Sequence, residues 1–99
     1  MLDTAFILTT LHKEKPTLEK EFDIEKIGVF GSYARNKQAE DSDIDIYVEF
    51  KQRSVTFKNI AGLWTHLENL FHKKIDLVYY QDKQIDNVIK NIQKEVVYG

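Results

Sequence analysis

The sequence predicts an α+β domain, α/β-like in part, in which a small mixed β-sheet is flanked by helices. Three observations carry that prediction. Asp43–Phe50 (DIDIYVEF) alternates with Ile44, Ile46 and Val48 on one parity, as a half-buried strand does. Thr56–Phe71 sets Ile60, Leu63, Trp64, Leu67, Leu70 and Phe71 at i, i+3, i+4, i+7 spacing, an amphipathic helix. A second alternating run, Lys74–Tyr80, follows that helix, so the central order reads β, β, α, β.

Leu2–Lys13 spaces Leu2, Ala5, Phe6 and Leu11 as a short helix. Pro16 is excluded from a helix interior but welcome at a helix start, so a second helix is expected over Pro16–Phe22. Ile24–Phe30 (IEKIGVF) becomes continuously apolar towards Gly31 and reads as a buried strand. Ser32–Arg35 is expected to begin a helical turn capped by Ser32, and Lys37–Ser42 is a polar loop without an apolar anchor. The connection from the first strand to Asp43–Phe50 is too short for a helical crossover, so that pair is expected to be antiparallel. In the third strand Ile75, Leu77 and Tyr79 share one face, while Asp76 lies opposite with Val78 and Tyr80. Trp64 belongs to its helix stripe and is expected in the core. Ile85–Lys94 repeats helical spacing through Ile85, Val88, Ile89 and Ile92.

Bulk properties exclude several classes. Ninety-nine residues make one domain over 1–99, large enough for a core but small for a complete enzyme. A net charge of −2 and a pI near 5.9 leave no electrostatic footprint for nonspecific nucleic-acid binding. The absence of cysteine excludes disulfides and thiolate metal sites and fits a reducing compartment. Asp3 precedes the first apolar run with no basic leader, and no apolar stretch is long enough to span a bilayer. The simplest expectation is a cytoplasmic protein without membrane contact. His12, His66 and His72 show no mutual metal spacing.

The chemistry concentrates in Gly31-Ser32-Tyr33-Ala34-Arg35 and, seven residues on, Asp43-Ile44-Asp45. Residues i and i+2 of a strand share a face about 6.6 Å apart, so Asp43 and Asp45 point the same way. Two like charges held side by side repel and are tolerated best with a positive partner between them. A divalent cation such as Mg²⁺ meets that need, taking carboxylate oxygens and keeping positions open for substrate phosphates. The Gly31-Ser32 turn beside the strand is the matching phosphate holder. Each part alone has an ordinary reading: turns use Gly-Ser constantly, and exposed aspartates are commonly just solvated. Asp41, Asp43 and Asp45 also imitate an EF-hand loop, but Ile46 and Gln52 stand where that loop needs Gly and Glu. The combination of turn, loop length and paired aspartates is far more specific than any part.

GSYAR-x7-DID resembles the signature of the polymerase-β-like nucleotidyltransferase superfamily, and over Leu18–Asn91 the chain looks most like its minimal nucleotidyltransferase branch. Members of that branch include MntA-type antitoxins, paired with a HEPN-domain toxin. One departure is Asn36, where the family usually has glycine; asparagine tolerates positive φ better than most residues, so the turn is expected to survive. The resemblance implies a palm fold in which Asp76 on the neighbouring strand is the third carboxylate. It implies that Asp43, Asp45 and Asp76 hold two Mg²⁺ ions, with Asp76 orienting or deprotonating the attacking hydroxyl. Gly31 and Ser32 would hold the phosphates of ATP; Arg35 either joins the triphosphate or is a solvated or Asp-paired arginine. A lone palm must borrow acceptor surface from a second copy or a partner. The implied reaction is transfer of AMP from ATP to a tyrosine of a HEPN ribonuclease toxin. Neutralisation by occlusion without catalysis, or transfer to a small molecule such as an aminoglycoside, are the alternatives left open.

Overall fold

In a computed structural model of the chain, residues 2–51, 54–80 and 87–99 are described. Helix α1 (Thr4–Phe22) leads into strand β1 (Ile24–Phe30), the single-turn helix α2 (Gly31–Ala34) and strand β2 (Ile44–Phe50). Helix α3 (Phe57–Phe71), strand β3 (Ile75–Tyr79), helix α4 (Asn87–Glu95) and the two-residue strand β4 (Val97–Tyr98) complete the order. The sheet runs β3-β2-β1-β4. β1 pairs antiparallel with β2 and β4, as expected for the first pair, while β2 and β3 are parallel across the α3 crossover. The sheet is therefore mixed.

α1 is one helix, where the sequence reading gives two, broken before Pro16. Proline inside a helix removes one backbone donor and costs about 3 kcal/mol. Here Ile7 and Leu11 before it and Leu18 after it are fully buried on the same core, and that packing outweighs the local penalty. Asp3 caps the helix by accepting from the Phe6 N–H at 2.8 Å. Gly62 of α3 lets Phe22 of α1 come close, since a Cβ there would sit 2.8 Å from the Phe22 ring.

β1 carries a register shift between Ile24 and Lys26. That bulge is why Ile24 and Ile27, three apart, both face the core. The core is built on one face of the sheet from Ile27, Val29, Ile44, Ile46 and Val48, against Ile7, Leu11 and Leu18 of α1 and Leu63 and Leu67 of α3. β4 was not expected from sequence; two residues are too few to show an alternation. Helix α4 begins at Asn87, and positions 85 and 86 of the expected helix lie outside the described residues. Trp64 departs from its expected core place: it is 36% exposed, and its Nε1–H donates to the Ile75 carbonyl at 2.8 Å. No described helix is long and apolar enough to cross a membrane.

Candidate active site

The sheet face opposite the α1/α3 core carries the polar parity of β2: Asp45, Tyr47 and Glu49. β1 delivers its turn onto this face, because Phe30 is the register partner of Asp45 and Gly31 comes next. Gly31 has φ +73°, and a Cβ added there would lie 2.1 Å from Asp45 Oδ2. Both the backbone conformation and the space demand glycine at this point.

α2 differs from expectation at its start. The N-cap position belongs to Phe30, without a side-chain cap, and Ser32 lies one residue inside the helix, half-buried. The positive φ of Gly31 lets the turn begin one residue early, so the Ser32 hydroxyl is not used as its cap. The turn is closed by Arg35 N–H to the Gly31 carbonyl at 3.2 Å and Lys37 N–H to the Ser32 carbonyl at 2.9 Å. Asn36 takes φ +56°, the left-handed conformation its type tolerates. Thr4 Oγ1 contacts both the Tyr33 carbonyl and, at 3.0 Å, Asn36 Oδ1, so the start of α1 steadies this turn.

Asp45 and Asp76 are direct partners in the parallel β2–β3 register. Adjacent strands are about 4.8 Å apart, so the two carboxyls stand side by side on one face. Burial pushes the Asp45 carboxyl up to about 6, helped by the charges of Asp76 and Asp43 and a hydrogen bond with Asp76, while Arg35 pulls the other way. Asp43 sits one residue before β2 and is felt at Asp45 as charge. Among the described residues, no group of three or more histidine, cysteine or acidic side chains is arranged to hold a metal ion. The arrangement is a coupled Asp45–Asp76 pair with Asp43 at its rim.

Two residues join the site that the sequence did not single out. Glu95, at the end of α4, accepts the Gly31 N–H at 3.1 Å through Oε1 and lies 3.4 Å from Arg35 Nη1 through Oε2. Arg35 is thus paired with a glutamate from the far end of the chain, not with an aspartate of the motif. Tyr47, fully buried beside Asp45, donates to Glu49 Oε2 at 2.9 Å and accepts from Gln93 Nε2 at 2.8 Å, which ties α4 to the sheet. The Glu95 contacts and the Tyr47–Gln93 contact have no linear signal, since each joins positions far apart in sequence. Lys73 donates to the Glu40 carbonyl at 2.7 Å and anchors the loop that leads to Asp43.

A glycine turn pressed against an aspartate of one strand, with a second aspartate beside it on the parallel neighbour, is the architecture of a nucleotidyltransferase. The family described as "Polymerase beta, Nucleotidyltransferase" matches residues 12–99, and the chain belongs to it. It is 38% identical over 98 residues to the protein adenylyltransferase MntA of Thermococcus cleftensis, covering 99% of this chain and 97% of that one. A solved structure described provisionally as a minimal nucleotidyltransferase superposes with a TM-score of 0.72 at 26% identity, covering 97% of this chain and 95% of the other. A toxin–antitoxin crystal structure with AMP-PNP shares the fold, with a TM-score of 0.66 at 21% identity over 87% of this chain and 69% of that chain.

Proposed function

We propose that the chain is a cytoplasmic, single-domain antitoxin that transfers AMP from Mg²⁺–ATP to a tyrosine hydroxyl of a HEPN ribonuclease toxin. The observation that carries this reading is the contact of Gly31 with Asp45, which puts the turn's backbone donors beside the Asp45–Asp76 carboxyl pair. The adenylyltransferase relative and the AMP-PNP-bound toxin–antitoxin neighbour support the choice of nucleotide and of a protein acceptor.

The acceptor oxygen forms a bond to the α-phosphorus of ATP, the bond from that phosphorus to the β-bridging oxygen breaks, and pyrophosphate leaves. The hydroxyl proton passes to the Asp76 carboxylate, which is placed to orient the nucleophile. Gly31, Ser32 and Arg35 hold the phosphates. The donor set suits magnesium, because the ion prefers carboxylate oxygens and is commonly held by one or two of them together with substrate phosphates. Asp43, Asp45 and Asp76 would hold it, and when bound it neutralises charge on the transferring and leaving oxygens. Excluding bulk water from the α-phosphate falls to the acceptor protein, since Asp76 is exposed and Asp43 half-buried.

The test is incubation of the full chain with α-labelled ATP, Mg²⁺ and a HEPN-domain toxin as acceptor. Label on a toxin tyrosine, with one adenylyl mass added, supports the reading. Full neutralisation of the toxin without any adenylyl group on it overturns it in favour of occlusion.

A further inference from the structure

Helix α4 ends against the candidate site, and Glu95 is its last residue. One carboxylate there serves two unlike groups of the 31–35 turn, a backbone N–H and a guanidinium, at 3.1 and 3.4 Å. These are two of the groups assigned above to the triphosphate. Carboxylate and phosphate oxygens are both anionic acceptors for such donors, so the two compete for them. Glu95 is also tethered closely. It closes α4, and two and three residues after it Val97 and Tyr98 pair with Val29 and Gly28 of β1. The Val96 N–H donates to the Ile92 carbonyl at 3.1 Å, which fixes the chain between helix and strand. A side chain held this way meets the turn at high effective concentration. It is nevertheless 36% exposed, so solvent can receive it when it is displaced.

We propose that Glu95 is a built-in competitor of the nucleotide, its carboxylate occupying the Gly31 N–H and Arg35 and swinging away when the triphosphate engages them. The inference rests on the nucleotide reading above and adds a regulator of that same site. Apparent affinity is lowered by the fraction of molecules in which Glu95 is in place. Displacing it also removes a negative charge from a rim that already holds Asp43, Asp45 and Asp76. Because Glu95 is rooted in α4 and β4, anything that shifts the C-terminal segment changes nucleotide affinity without touching the aspartates.

The experiment is calorimetric titration of the full-length chain with ATP in Mg²⁺, comparing wild type, Glu95→Gln and Asp45→Asn. Glutamine keeps an acceptor for the Gly31 N–H but lacks the charge that competes with phosphate. Glu95→Gln is expected to lower Kd about three- to tenfold. Unchanged or weaker binding by Glu95→Gln, with binding still dependent on Asp45, overturns the competitor and leaves the nucleotide reading standing. No binding by wild type or by folded Glu95→Gln overturns the nucleotide reading and this inference with it. Carbon-13 spectra of the wild-type Glu95 carboxyl give an answer that does not depend on a variant folding. A shift of that carbon at saturating ATP is the expected result, and an unmoved resonance overturns the displacement.

Discussion

Asp45 and Asp76 meet as register partners across the parallel β2–β3 pair, and burial followed by the charges of Asp76 and Asp43 holds the Asp45 carboxyl up to about 6. The hydrogen-bonded carboxyl pair therefore spans two strands, whereas the sequence draws attention to Asp43 and Asp45 on one.

A pH-dependent stability follows from that shift. Asp45 ordinarily titrates near 3.8, so between about 3.8 and 6 the folded chain holds a proton that the unfolded chain has lost. Raising the pH through that window weakens the fold, and the penalty is complete above it. Asp45→Asn removes the penalty while keeping a hydrogen-bonding group. Its melting temperature is expected to exceed wild type at neutral pH, the gap closing as pH falls below the window. Equal melting curves at neutral pH would show that the pair is not strained.

The same proton opposes cation binding. Mg²⁺ affinity measured by titration in the presence of ATP should fall as pH drops through about 6, because the Asp45 proton must leave before its oxygen can serve as a ligand. A flat affinity across that range would separate Asp45 from the cation.

Gly31→Ala tests the contact between turn and strand. The new Cβ would lie 2.1 Å from Asp45 Oδ2 at a φ of +73°. Left-handed backbone at a non-glycine residue costs about 1–3 kcal/mol, and the Asp45 carboxylate must move as well. Lower thermal stability together with loss of AMP transfer is expected. Retained transfer would show that the turn need not touch Asp45.

The three aspartates should fail as a unit. Asp43→Ala, Asp45→Ala and Asp76→Ala are each expected to abolish AMP transfer, with little further loss when combined. Binding to the partner should persist, since the site is a small part of the area a stable complex buries. A pull-down alongside the label assay checks both, and full neutralisation by the Asp43→Ala/Asp45→Ala double variant would favour occlusion.

Tyr47→Phe probes how α4 is held over the site. It strips Glu49 and Gln93 of their shared hydroxyl, and stranding such partly buried groups costs about 1–3 kcal/mol. A lower melting temperature with faster amide exchange in α4 is expected. Unchanged exchange there would mean that other contacts hold the helix.

What the sequence determined by itself was whatever is written in local pattern. The alternation around Ile44, Ile46 and Val48, the apolar stripe through Leu63 and Leu67, and the Gly31–Asp45 motif all act over a few residues, through strand and helix periodicity and one turn. Asn36 belongs with them, since its tolerance of positive φ is a property of the residue, and it does take φ +56°. Pro16 misled because its local cost is real but smaller than the burial of Ile7, Leu11 and Leu18 on either side of it. Only the tertiary structure decided that Asp76 stands opposite Asp45, because strand register is set by how α3 packs during the crossover. It alone brought Glu95 to Gly31 and Arg35, and Gln93 to Tyr47. Those contacts close long loops and depend on where α4 and β4 dock, a choice made by the whole sheet face and by no stretch of sequence within it.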